Sequence, residues 1–206
     1  MLKSICSFGQ MKQWPTACMV VIFCLAGLVP SVAGQNDRVD QLIRELNGNE
    51  SVIAKMRVIQ ELGKTKDPRI VDPLIAQLRD GNAAIRTVSV QSLGEIVDPR
   101  TTEPLIAVLK NDTSDNVRVL AALALCTDKD ARAIDPLVVS VKDKFANLRL
   151  LSALALGNYK DQRAIDALTA ALQDSDDRVR QQAEESLKKI KTEQLQGQGS
   201  PVVPTH

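Results

Sequence analysis

The chain has 206 residues, with 26 Lys plus Arg against 25 Asp plus Glu, so its formal net charge of +1 selects no polyanionic partner. Nucleic acid is disfavoured further by the aromatic content. Of three Phe, one Tyr and one Trp, only Phe145 and Tyr159 lie beyond residue 34, which leaves no platform for stacking bases.

The first 34 residues differ from the rest. Lys3 and Lys12 precede an apolar run from Ala17 to Val29 (ACMVVIFCLAGLV), then Pro30, then the small residues of Ser31-Val32-Ala33-Gly34. This is the pattern of a secretory signal over residues 1–34, with cleavage expected near Ala33 to Gln35 and an extracytoplasmic location, periplasmic or secreted, for the mature chain. A start at Met11 would give a tidier signal with a short basic head. The run of 13 apolar residues falls short of the roughly 20 that cross a bilayer, so no membrane span is expected in the mature chain; a retained anchor is the alternative. Loss of the signal removes Cys6, Cys18 and Cys24 and leaves Cys126, so no intrachain disulfide framework is expected.

Beyond the signal the sequence repeats. Asp67-Pro68-Arg69 returns as Asp98-Pro99-Arg100, Asp130-Ala131-Arg132 and Asp161-Gln162-Arg163, at spacings of 31, 32 and 31. A second row is Leu74, Leu105, Leu137 and Leu168, preceded by Pro73, Pro104, Pro136 and Ala167. A third is Lys55, Arg86, Arg118, Arg149 and Arg180. A fourth is Leu62, Leu93, Leu125, Leu156 and Leu187, followed by Gly63, Gly94, Cys126, Gly157 and Lys188.

Each unit predicts two helices. In the first, Asp67 is an N-cap, Pro68 stands at the opening position, and Pro73 is expected to kink the helix a turn further in. The second, such as IRTVSVQSLGEI from Ile85, is expected to end at Gly94 in a left-handed conformation. Short polar loops join them. No run alternates with period two, so strands are not expected. The last unit, DDRVRQQAEESLKKI, carries Gln, Glu and Lys where its siblings are aliphatic, as a solvent-facing cap should. After Ile190 the tail KTEQLQGQGSPVVPTH is polar and punctuated by Gly and Pro, and residues 191–206 are expected to be disordered.

The unit DPRTTEPLIAVLKNDTSDNVRVLAALALC resembles the HEAT-like repeats of the phycobilisome lyase type, roughly D-P-R-x-x-x-x-L-I-x-x-L, an acidic loop, then V-R-x-x-A-A-x-A-L-G. The resemblance covers residues 36–190 as five units, about 36–65, 66–96, 97–128, 129–159 and 160–190. It implies an all-α fold, a right-handed α-solenoid in which each helix pair touches only its neighbours and the second helices line a concave surface. It says little about function.

Two of the second helices, VRVLAALALC from Val117 and LRLLSALALG from Leu148, are apolar on every side. At 100° per residue, counted from the Arg of each helix, Val117, Ala121 and Leu125, and likewise Leu148, Ser152 and Leu156, form a core stripe. The opposite face holds Met56, Arg57, Gln60 and Lys64 in the first repeat and Thr87, Val88, Gln91 and Glu95 in the second. In the third it holds Val119, Leu120, Leu123 and Thr127, and in the fourth Leu150, Leu151, Leu154 and Asn158. An aliphatic patch on the order of 300 to 500 Å² is therefore expected from Val119, Leu120, Leu123, Leu150, Leu151 and Leu154, with Val88 at its border, as a site for a protein partner or a second copy. The competing expectation is that tight curvature buries these positions against neighbouring helices.

Catalytic chemistry finds no residues. The one His, His206, ends the tail, and no Cys pair survives signal removal, so neither a zinc site nor the His-Glu iron site of deoxyhypusine hydroxylases, which share HEAT repeats, can be assembled. Asp112, Asp115, Asp174, Asp176 and Asp177 read as helix caps and partners of Arg118, Arg149 and Arg180, without EF-hand spacing. Cys126 reads as a small packed residue. The regular Asp67, Asp98, Asp130 and Asp161, and Arg86, Arg118, Arg149 and Arg180, read as structural. The expected protein is thus an exported, non-catalytic HEAT-repeat scaffold with no cofactor and no metal, binding a protein partner through its concave face. A chromophore lyase, which the resemblance implies, and a self-associating module are the alternatives.

Overall fold

The computed structural model describes residues 32–48, 51–96 and 98–197, and the chain divides into two units, Met1–Asp40 and Gln41–His206. Residues 1–31 of the expected signal over 1–34 lie outside the described residues, and residues 32–34 fall in the first described helix. The described residues form ten α-helices and no strand. These are α1 (Val32–Gly48), α2 (Val52–Thr65), α3 (Val71–Gln77), α4 (Ala83–Gly94), α5 (Thr102–Asn111), α6 (Asp115–Asp128), α7 (Ile134–Ser140), α8 (Ala146–Leu156), α9 (Gln162–Ala171) and α10 (Asp177–Gly197).

Within the second unit the helices stack in two rows. The second helices α2, α4, α6, α8 and α10 each pack on the next, and α3, α5, α7 and α9 each lean on the second helix of their own pair. Between the rows run two leucine lines, Leu62, Leu93, Leu125 and Leu156 on one side and Leu74, Leu105, Leu137 and Leu168 on the other, all fully buried. Each such Leu contributes roughly 1.5 to 3 kcal/mol of burial. Val117, Ala121, Leu148 and Ser152 complete the core stripe of α6 and α8.

The prolines act by setting where helices begin. The expected kink at Pro73 is instead a late start: α3, α5 and α7 each open two residues before their proline, Pro73, Pro104 and Pro136. The residues before α3 and α7 form 3-10 turns, Pro68–Ile70 and Ala131–Ala133. Proline offers no N–H to the carbonyl four residues back and its ring crowds it, so an α-helix cannot extend over Arg69, Arg100 or Arg132. The fifth repeat has Ala167 at this position, and α9 runs unbroken from Gln162.

The glycine row also departs from expectation. Gly94 ends α4 without a left-handed turn, and Glu95 after it stays right-handed (φ −86°). Its reason is space. A Cβ on Gly94 would lie 2.8 Å from Ala124 Cβ, one on Gly63 would lie 2.8 Å from Ser92 Oγ, and one on Gly157 would lie 2.6 Å from Ser186 Oγ. Successive second helices meet glycine against a small residue. The hydroxyls there donate across the contact, Ser92 Oγ to Ile59 O at 3.4 Å and Ser186 Oγ to Ala153 O at 2.9 Å. Left-handed backbone outside glycine falls instead on Lys66 and Lys129, both at φ 52°.

At the end of the stack, α10 continues through residues 191–197, where disorder is expected from composition. Lys, Glu, Gln and Leu are good helix formers, and a polar segment that extends an anchored helix adds a hydrogen bond per residue without a new nucleus. Residues 198–206 lie outside the described residues.

A glycine-to-alanine change in an exposed helix raises stability by up to about 1 kcal/mol. At Gly94 and Gly157 the sign reverses: each Gly→Ala variant is expected to lose about 1 to 3 kcal/mol by overpacking, measured as a lower urea midpoint at unchanged slope. An unchanged midpoint would show that the helices can move apart freely.

Candidate functional site

The charged rows are ladders that tie one repeat to the next. On the first-helix side Asp67, Asp98, Asp130 and Asp161 each accept the backbone N–H two residues on, at 2.9 Å, and hold the guanidinium of Arg69, Arg100, Arg132 or Arg163. Three of these arginines then reach back one repeat. Arg100 donates to Asp72 (3.0 Å) and Pro68 O (2.9 Å), Arg132 to Glu103 (3.2 Å) and Arg163 to Asp135 (2.7 Å).

The second ladder runs forward, along the starts of the second helices. Asp80, Asp112, Asp143 and Asp174 each accept the N–H two residues on, closing the loop. Lys55, Arg86, Arg118 and Arg149 then donate to the Asp of the following repeat, at 3.2, 2.7, 3.4 and 2.7 Å. Arg86, Arg118 and Arg149 also bond the carbonyl of the Asp in their own loop, Asp80, Asp112 and Asp143. Arg180 does the same to Asp174 O and, with no repeat ahead of it, turns to Asp177. The Arg86–Asp112 rung is the most enclosed, with side chains 11% and 4% exposed.

These contacts set the acidities. Burial alone would raise the Asp112 carboxyl, but the Arg86 guanidinium, the Ser114 N–H and the nearby Arg118 charge outweigh it and hold it below the usual carboxylate range. Hydrogen bonds from Arg163 and Arg178 bring Asp161 and Asp176 down to about 2. Asp174, Asp176 and Asp177 are thus engaged by Arg149, Arg178 and Arg180, and among the described residues no three metal-ligating side chains gather.

The opposite face of the second helices carries the candidate binding surface. A groove of about 710 Å³ opens between α2, α4 and α6. Val88, Leu120 and Leu123 supply its aliphatic wall; Gln60, Lys64, Gln91, Glu95 and Thr127 supply its polar one. Three of the seven expected patch residues therefore meet here, while Val119, Leu150, Leu151 and Leu154 do not line it. The expected continuous patch is corrected by burial. Val88 is only 4% exposed, Leu123 is 41% exposed, and Val119, Leu120, Leu150, Leu151 and Leu154 are half-buried. The glycine contacts bring the second helices close enough to cover the positions just after each Arg. Positions five and nine residues after it stay open except in the fourth repeat, where Leu154 and Asn158 are half-buried.

Cys126 belongs to the groove wall and was read from sequence only as a packing residue. Asn158 Nδ2 donates to its sulfur at 2.8 Å and to its carbonyl at 2.9 Å, and Lys189 in turn donates to Asn158. Burial pushes the thiol up, and the Asn158 amide and the charges of Lys189 and Lys129 do not offset it, so the thiolate is scarce at neutral pH.

The described repeats define an α-solenoid of paired helices. A HEAT-repeat family model matches residues 39–118 and again 102–188, so the chain belongs to the HEAT-repeat family. The complex of CpcE and CpcF of phycocyanin lyase from Nostoc sp. PCC7120 is similar in fold, with a TM-score of 0.64 at 22% identity over 78% of this chain and 67% of that one. This agrees with the resemblance read from the repeat motif. An engineered protein gives a TM-score of 0.59 at 20% identity over 86% and 85% of the two chains. A designed armadillo repeat protein in complex with the peptide (KR)4 gives 0.54 at 17% identity over 79% and 93%. At such identities the likeness is one of fold. The curated proteins contain no match.

Arg86→Ala strands the enclosed Asp112 carboxylate and is expected to cost about 3 kcal/mol, a clearly larger drop in urea midpoint than that of Arg163→Ala on the solvent-exposed ladder. A carboxylate with a lower pKa in the folded than in the unfolded chain stabilises the fold at every pH above the unfolded value, about 4. That contribution vanishes as pH falls through the folded value, about 2 for Asp161 and Asp176. The urea midpoint should therefore fall between about pH 4 and pH 2, and a flat profile there would mean that the ladders contribute nothing.

Proposed function

We propose that this chain is an exported, non-catalytic scaffold that binds a protein partner through the inner face of its second helices. The observation that carries this reading is Leu123. Among the described residues the four exposed large aliphatics are Ile53, Leu123, Val139 and Leu195, and of these only Leu123 lines a groove. A Leu held open beside Leu120 and above buried Val88 gives a partner side chain a seat that removes apolar surface from water. Similar folds are found in association: CpcE with CpcF, and the designed armadillo protein with a peptide. Export rests on the residue pattern before Gln35. No described helix is long and apolar enough to cross a membrane.

A lyase-like role is the second reading. It is favoured by the likeness to the phycocyanin lyase complex and by a groove volume of about 710 Å³, within the range usual for small-molecule sites. Against it, the groove's one thiol is held protonated by burial.

The test is light scattering and visible absorbance on the purified chain and on Leu123→Glu, followed by pull-down from envelope extract. The scaffold reading expects a colourless monomer at all concentrations and a captured protein that Leu123→Glu loses. A dimer dissolved by Leu123→Glu would make the face a self-association surface, and a co-purified pigment would favour the lyase. An exposed site tolerates this substitution within about 0.5 kcal/mol, so an unchanged melting temperature confirms that the fold is intact.

A further inference from the structure

Successive second helices are not all tied to one another alike. Between α4 and α6, Arg86 grips Asp112 with two bonds of 2.7 and 2.9 Å, and Thr127 Oγ1 donates to Gly94 O at 3.2 Å. Between α8 and α10, Arg149 grips Asp174 with two bonds of 2.7 Å, Ser186 Oγ donates to Ala153 O at 2.9 Å, and Lys189 donates to Asn158. Between α6 and α8 the Arg118–Asp143 rung is longer, at 3.4 Å, but Asn158 Nδ2 reaches both the carbonyl and the sulfur of Cys126, and Tyr159 Oη donates to Leu125 O at 3.3 Å.

The joint between α2 and α4 is tied less well along its whole length. At its start Lys55 stands where the later helices have Arg, and its ammonium makes one contact, 3.2 Å to Asp80, in place of a planar fork. That pair is 23% and 18% exposed, against 11% and 4% for Arg86–Asp112, so solvent and salt weaken it further. In the middle, Ser92 Oγ lies 3.4 Å from Ile59 O, against 2.9 Å for its counterpart Ser186. At the end, Glu95 holds the place of Thr127 and Asn158. Gly63 lies in the last turn of α2, where carbonyls have no intrahelical partner, and an ionised Glu has no proton to donate to one.

This helix is also a wall of the groove. Gln60, Gly63 and Lys64 of α2 line one side, while Leu120 and Leu123 stand on α6 at the other. We propose that α2 is a movable wall, opening away from α4 in the free chain and widening the groove, while α4, α6 and α8 keep their places. Buried Val58, Ile59 and Leu62 hold α2 on the stack, so each opening is brief and reversible. A repeat array opens first where the bonds between neighbours are weakest. The use of this motion rests on the scaffold reading above: a partner side chain too large for the resting groove is seated against Leu123 by displacing α2. The motion itself does not depend on that reading.

Amide hydrogen exchange of the full chain, read by mass spectrometry on peptides from α2, α4, α6 and α8, tests this without a partner. The missing ties are then supplied by residues that later repeats already use, Lys55→Arg and Glu95→Asn, singly and together, with circular dichroism to confirm an intact fold. In the wild type α2 is expected to exchange about tenfold faster than α4, α6 and α8. The double variant should slow α2 about fivefold and leave α8 unchanged. An α2 that exchanges as slowly as α4 in the wild type would overturn the proposal. So would a fast α2 that neither substitution slows, because that is the fraying of any terminal helix and owes nothing to its ties. Capture of a partner, lost on Leu123→Glu, is read separately, so either result leaves the docking site itself standing or falling on its own test.

Discussion

The second helices lie so close together that glycine, or a residue almost as small, must stand at their crossing. At Gly63, Gly94 and Gly157 a single added carbon would overlap Ser92, Ala124 or Ser186 of the next helix. Most of the inner face follows from this contact. It covers the side chains just after Arg86, Arg118 and Arg149, and it leaves those five and nine positions on open after Arg86 and Arg118. It also lets Ser92 and Ser186 bond backbone carbonyls one repeat away. Cys126 occupies the same row, and there the neighbouring repeat supplies Asn158 to its sulfur and carbonyl.

Charge is distributed by the same geometry. Loop aspartates cap helix starts, where the backbone has unpaired N–H groups, and the arginines that lock them come from the preceding second helix. The first-helix ladder repeats the device on the other side, with Asp72, Glu103 and Asp135 as its outer acids. The ladder aspartates are thus engaged at helix starts, while Lys64, Lys66 and Lys129 stand at helix ends. The net charge of +1 conceals this separation, which is one of position along the helix rather than of number.

The repeat, its helix pairs and both buried leucine rows were readable from sequence, because each depends on a residue type recurring at one period; the Asp and Arg rows were legible as structural but not as ladders between repeats. The late helix starts were half readable. Proline announces a break, but only the fold decides that it falls before Val71, Thr102 and Ile134 rather than inside the helix. The glycines were assigned the wrong cause, since positive φ and close approach leave the same letter in the sequence. Lys66 and Lys129 gave no signal at all, for a left-handed lysine is chemically an ordinary one. The groove was partly visible: Val88, Leu120 and Leu123 came from angular position, whereas the exposure of each depends on an interhelical distance that no single helix encodes.

Why α6 and α8 are apolar on every side now has a physical answer. Like α4, each has a second helix packed on each flank and a first helix behind, so three of their faces are covered. Half-burial of Val119, Leu120, Leu150, Leu151 and Leu154 accounts for most of their aliphatic surface as packing. Leu154 and Leu123 hold the same position in successive repeats, yet Leu154 is half-buried while Leu123 is exposed. The packing that explains its siblings therefore does not explain Leu123. That residue opens into the groove at the point where glutamines stand in the first two repeats, Gln60 and Gln91. A polar residue would serve folding equally well there, and the apolar side chain exposed in its place is what a docking partner would use.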